Sequence, residues 1–264
     1  ELINMNYEHG KSMLQKLYGK SAEKFFSTAI ELIEENNTNR SDLLLKTYLY
    51  KIKALQINNQ FKESLKLIDI IQKKFPEDDI KKKLILIKIS IFTTQSKYTE
   101  IMELGINVLK ENKIVIKNNP SANSCKLKLL KTLFKLIINT SKLKTKSTIE
   151  NEDEQFISKL FYEMVGPTYF LNKYAYINLI CTFLNYSIPN RITRETPFFL
   201  ILFSKIILIQ FKNYNFVKKM SNIALSMIEK TKNEKVKLNS KLINNIFLSR
   251  FYINFNMNIK EFKE

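Results

Sequence analysis

The chain of 264 residues reads as all-α, an array of antiparallel helix pairs. Three observations predict it. Apolar residues recur three and four apart along almost the whole length, the period of a helix with one buried stripe. Glycines number four and prolines five, too few for the turns of an all-β fold. Small residues also recur at +4 and +7 on helices that follow short turns. A hydrophobic content of 45% argues against disorder despite the charge.

Periodicity and breakers divide the chain into about ten or eleven helices. Between Lys62 and Ile71 the apolar set is Leu65, Leu67, Ile68, Ile70 and Ile71, with charged residues on the other face. Gly19 and Ser21 separate the first two helices, and the Ser21 hydroxyl is suited to accept an orphan N–H as an N-cap. The polar run from Glu35 to Arg40 ends the second helix, and Ser41 is expected to cap a third that ends near Ile57. Asn58, Asn59 and Gln60 form a tight turn before Phe61, and Pro76 stops the fourth helix because proline cannot continue the hydrogen-bond ladder. Later helices are expected to begin near Asp79, Tyr98, Ser121, Asn151, Pro167, Thr196, Tyr214 and Asn233. The most apolar stretch, Pro197 to Phe211, is interrupted by Lys205 and is too short to span a bilayer, so it reads as a buried helix. Lys110 to Asn123 and Asn139 to Glu154 read as exposed, mobile connectors, the second a flexible insert.

The internal repeat carries most of the information. Ala22, Phe26 and Ala29 form one set; Ser64, Ile68 and Ile71 a second; Ile101, Gly105 and Val108 a third; Val217, Ser221 and Ala224 a fourth. Phe61, Tyr98 and Tyr214 each stand three residues ahead of a set. Spacings of four and seven place three side chains on one helical stripe, and small ones there let a partner helix approach closely. The aromatic is expected to wedge into the neighbouring helix. Residues expected to set the packing are therefore Ala22, Ala29, Phe61, Ser64, Tyr98, Gly105, Tyr214, Ser221 and Ala224. A four-helix bundle would not show four such sets. The pattern is that of tetratricopeptide-like hairpins, so residues 1–264 are expected to form a single α-solenoid.

Little in the chain promises catalysis. The four glycines cannot build a phosphate loop, and His9 is the single histidine, so triads and multi-histidine metal sites are not expected. Cys125 and Cys181 lie far apart in apolar helical contexts and read as small buried hydrophobes. No catalytic residue, metal ligand or cofactor is expected in this segment. The formal charge of +18 favours phosphate, and a basic helical-repeat RNA-binding module is the rival reading; the lysine and asparagine bias also fits an A/T-rich coding background. The basic helix from Lys126 to Lys144 is expected to bury its leucines against neighbours. Two Asn-X-Ser matches, at Asn139 and Asn185, are expected by chance in an asparagine-rich chain. The chain opens on Glu1 with neither Met nor an apolar leader, which suggests a piece of a longer, cytoplasmic protein.

Scattered stretches resemble one family: the helical-repeat region that follows an AAA-type (STAND-like) ATPase module in large signalling proteins. Among these are hybrid histidine kinases with a serine/threonine-kinase-like domain. The stretches are Leu55 to Gln72, Tyr98 to Ile116, Pro167 to Leu171, Leu184 to Arg191 and Phe211 to Lys230. Asn59 and Asn213 stand where the family's turns carry glycine. The resemblance implies a parent chain that binds ATP and phosphorylates a protein. This segment would then be an arm whose concave groove takes a protein, a peptide or the adjoining ATPase and kinase modules. No catalytic residue of the family falls within these positions.

Overall fold

The computed structural model is all-α; it describes residues 1–36, 40–145, 151–188, 191–231 and 233–248, and among these there is no strand. The helices are α1 (Leu2–Gln15), α2 (Gly19–Glu35), α3 (Ser41–Ile57), α4 (Phe61–Lys74), α5 (Asp78–Thr94), α6 (Tyr98–Glu111), α7 (Ala122–Ile138), α8 (Thr140–Thr145), α9 (Glu152–Leu171), α10 (Lys173–Ser187), α11 (Thr196–Phe211), α12 (Tyr214–Ile228) and α13 (Glu234–Ile243). A π-helical turn, Asn244–Leu248, follows α13. These described elements outnumber the ten or eleven helices expected. The chain divides into two compact units, residues 1–96 and 97–264.

In the first unit each helix folds back on its predecessor, α1 on α2, α2 on α3, α3 on α4 and α4 on α5. The α1–α2 and α3–α4 corners share one geometry. Leu17 and Asn59 adopt left-handed backbone, with φ of 60° and 59°. Beyond each, an N–H reaches the carbonyl five residues back: Tyr18 to Met13 at 2.9 Å and Gln60 to Leu55 at 2.8 Å. Leu17 and Asn59 themselves donate to Leu14 and Gln56. This double closure satisfies carbonyls that a helix end otherwise leaves orphaned. Ser96 and Lys113 are left-handed too, and Ile114 donates to Leu109 in the same way. None of these corners uses glycine.

The core of the first unit joins Ile33, Tyr48, Ile52, Ile68, Ile71, Leu84 and Ile91, with Phe61 packed partly buried against it. Beside it Ala22, Phe26 and Ala54 form a second cluster, where Phe26 stacks on Tyr50 at 5.7 Å and meets Tyr7 edge-on at 6.4 Å. Gly10 lies under that ring, and a Cβ there would sit 2.6 Å from it.

The second unit pairs its helices out of sequence. Helix α6 packs on α9 and α7 on α10; α10 also meets α9 and α11, and α11 meets α12 and α13. Its centre is α11, buried almost all round from Thr196 to Leu208, as a helix apolar on every face but for Ser204 and Lys205 requires. Phe199 stacks on Phe183 at 3.9 Å, and Phe161 meets both rings edge-on. Buried beside them, Ser158 donates to the Glu195 carboxylate at 2.7 Å and lies 2.5 Å from the Thr193 hydroxyl. Removal from water pushes the Glu195 carboxyl above its ordinary value.

Several boundaries differ from expectation for local reasons. The second helix starts at Gly19, which places Ser21 inside its first turn, and α3 starts on Ser41 itself rather than after it. Helix α9 runs straight through Pro167. The ring removes one N–H, and the Thr168 hydroxyl donates to the carbonyls of Met164 and Val165 at 2.8 and 2.9 Å. The next helix begins instead at Lys173, where the Asn172 carboxamide oxygen accepts from two backbone amides. Lys110 to Asn123 is not an exposed connector throughout: Ile114, Ile116 and Pro120 are buried, and Asn178 donates to the Lys117 carbonyl. Within the expected insert at 139–154, Thr140–Thr145 are helical and α9 has begun by Glu152, while 146–150 lie outside the described residues. At the α11–α12 corner the left-handed residue is Lys212, φ 51°, and Asn213 caps α12 by accepting from the Phe216 amide.

Candidate docking surface on helix α7

All twelve residues of the four small-residue sets are buried, so the expected stripes do face the interior. They do not converge on one site. Ala22 lies with Phe26 and Ala54; Ser64, Ile68 and Ile71 face the core of the first unit; Gly105 faces Met164 of α9. The leading aromatics behave differently from one another. Phe61 is half-buried, and Tyr98 stacks on Phe170 at 5.3 Å. Tyr214 is 49% exposed, and the buried aromatic at that corner is Phe216, two residues further on. Two residues advance about 200° around a helix, so Tyr214 and Phe216 stand on opposite faces.

Among the described residues no group of three or more His, Cys, Asp and Glu side chains could hold a metal ion, and no helix is long and apolar enough to cross a membrane. His9 is exposed, with Nδ1 2.8 Å from the Met5 carbonyl. Cys125 and Cys181 are free and buried. Burial pushes the Cys181 thiol up to about 12, which keeps it protonated and a poor nucleophile. The Asn185 glycosylation match is internal, since its carboxamide donates to Thr132.

The region that departs most from expectation is α7. Leu129 and Leu136 are buried as expected, but two of its lysines turn inward beside them. The Lys128 ammonium donates to Asn178 Oδ1 at 2.6 Å and Thr182 Oγ1 at 2.5 Å, both on α10. The Lys135 ammonium donates to the Asn185 carbonyl at 2.5 Å. Asn185 in turn donates to Thr132, and the Cys125 thiol lies 3.3 Å from the Tyr174 carbonyl. Desolvation lowers both amines from the ordinary lysine value. Cations facing oxygen acceptors thus join the buried Cys125, Leu129 and Leu136 in holding α7 on α10.

The consequence appears on the other side of the helix. Leu127, Leu130, Phe134, Ile137 and Ile138 are exposed, Phe134 at 67%. At about 100° per residue these five occupy one arc of roughly a third of the helix circumference. Exposed Lys126 and Lys131 border the arc on opposite sides. Leu130, Lys131, Leu133, Phe134 and Ile137 line a shallow groove of about 420 Å³. Single exposed apolar residues are ordinary; a contiguous, charge-rimmed patch marks an interaction surface.

No protein-family model, curated protein or solved structure matches this chain.

Sequence reasoning passed over this surface because it assigned every leucine of α7 to the core. A signal was present. Eight of the residues from Leu127 to Ile138 are apolar and wrap more of the helix than one buried stripe can use.

Proposed function

We propose that this chain is a helical-repeat interaction scaffold, with the outer face of α7 as its contact surface. The observation that carries the reading is the five-residue apolar arc held outward while Lys128 and Lys135 bond inward to α10. The inward side of α7 is already filled by Cys125, Leu129, Thr132 and Leu136, so the five outer residues are a second apolar face that no neighbour covers among the described residues. The acceptors of α10 fix that orientation, and the exposed patch persists at a cost in hydration.

In the wider reading the repeats stack as a tetratricopeptide-like solenoid. It would serve as the regulatory arm of a cytoplasmic, multidomain signalling ATPase and kinase. What supports this is the recurrence of hairpins with a common corner and the resemblance of the stretches named above. The segment itself would contribute contacts, and ATP would be bound elsewhere in the parent chain. The experiment is to introduce Leu130→Asp and Phe134→Asp together into the parent protein. Loss of partner recruitment, or a change in kinase output, is expected. Unchanged recruitment and unchanged output would remove α7 from the function.

The charge of +18 favours a second reading, RNA binding by a basic face. That reading requires affinity for single- or double-stranded RNA that falls steeply with salt. It also requires the loss to follow Lys→Gln changes rather than changes at Phe134.

A further inference from the structure

The α7 surface has an electrostatic signature that narrows its occupant. Helices α7, α8 and α10 contain no acidic residue at all. Lys126 and Lys131 flank the apolar arc. Lys128 and Lys135 stand on the flank of the helix next to Lys131, committed to α10, and add positive charge beside the arc. An occupant that covered Leu130 and Phe134 would bring its own flanks against the Lys126 and Lys131 ammonium groups.

We propose that this face binds an amphipathic helix whose apolar stripe is flanked by Glu and Asp; the inference rests on the docking reading above. The apolar arc runs along the helix axis at positions 127, 130, 134, 137 and 138, the spacing of one helical stripe that another helix can match. The groove beside Phe134 accepts a ridge of side chains, which a flat lipid surface would not fill. Helix α7 is fastened to α10 at four points along its length and cannot sink into a bilayer as an isolated amphipathic helix does. Opposite charges at the rim would steer the partner and set its register more than they add to affinity.

The test uses the full chain and two fluorescein-labelled helical peptides of about 18 residues. Both carry the same Leu and Ile stripe; one is flanked by Glu and the other by Lys. Fluorescence anisotropy should show the Glu-flanked peptide bound and the Lys-flanked one at least about tenfold weaker. Lys126→Glu with Lys131→Glu should reverse that preference. Phe134→Asp should abolish binding of both, with Phe134→Ser as the alternative should the aspartate variant lose its circular-dichroism melting transition. Equal binding of the two peptides would overturn the acidic partner while leaving a docking surface. Two results would overturn the proposal in favour of another occupant. One is concentration-dependent self-association that Phe134→Asp removes, with neither peptide bound. The other is binding only to vesicles of mixed phosphatidylcholine and phosphatidylserine. If no peptide, vesicle or second copy binds, the docking reading falls with it.

Discussion

The two units solve the same problem, burying a helix stripe, by different means. In residues 1–96 neighbours in sequence are neighbours in space, and the rule-bound corners at Leu17 and Asn59 fold each helix back on the last. In residues 97–264 the pairings α6 with α9 and α7 with α10 cross intervening helices, and buried polar contacts join the apolar ones. Local contacts need only short-range instructions, so the first unit is close to a direct transcription of its periodicity. Non-local pairings need a specific partner surface. The second unit supplies it with a mostly apolar α11, a ring stack and oxygen acceptors aimed at lysines.

The sharpest way to break this comparison is to remove an aromatic from each core. Phe199→Ala deletes a fully buried ring stacked on Phe183, and Phe26→Ala one stacked on Tyr50. Each should lose about 3–5 kcal/mol in urea denaturation. Hydrogen exchange should place the first loss in α9 to α11 and the second in α1 to α3.

The next test compares two glycines. A Cβ at Gly10 meets the edge of Phe26, a ring held between Tyr7 and Tyr50, whereas one at Gly105 meets the end of the flexible Met164 side chain. Gly10→Ala should therefore destabilise by about 1–3 kcal/mol. Gly105→Ala should be near neutral, because Met164 can move aside and alanine improves helix propensity by about 1 kcal/mol. Gly105→Leu exceeds what that side chain can yield and should lower the melting temperature; an unchanged value would show that α6 and α9 do not meet there.

Glu195 sharpens the contrast in pH. Its folded carboxyl titrates above the ordinary value of 4.5, with desolvation the main cause and the Ser158 hydrogen bond opposing it. The folded state thus holds the proton more firmly than the unfolded state. That contribution is fully present below the unfolded value and is lost as pH rises through the folded one. Glu195→Gln keeps an acceptor for Ser158 but cannot ionise. Thermal melts from acid to neutral pH should show the wild type losing stability relative to this variant. A constant difference across the range would mean that Glu195 is not protonated preferentially in the folded state.

The smallest effect belongs to the corners. Leu17 is an exposed, branched residue at φ 60°, a conformation that costs an L-residue about 1–2 kcal/mol. Leu17→Gly should raise stability by about 1 kcal/mol, and Asn59→Gly by less, because asparagine tolerates this region.

How much of this was legible depends on how local its cause was. The period of three and four located the helices, and the +4, +7 sets located buried stripes at Ala22, Ser64, Gly105 and Ser221. The corner at Asn59 was visible because three polar residues stood between two apolar patterns. Proline at 167 misled, because α9 is carried through it while packed on α6, an element far from it in sequence. Helix α7 misled more deeply. Which of its two apolar faces turns inward depends on Asn178, Thr182 and Asn185, about fifty residues away, and no window along the chain contains both.

Those inward lysines have a bearing on how the chain meets polyanions. Counterion release counts only the cations that a phosphate can touch. The protons of Lys128 and Lys135 already point at α10, and Lys205 sits 3.6 Å above the Phe247 ring. A tally of basic residues therefore overstates the number of contacts a nucleic-acid strand could make. The slope of log affinity against log salt would report the smaller figure.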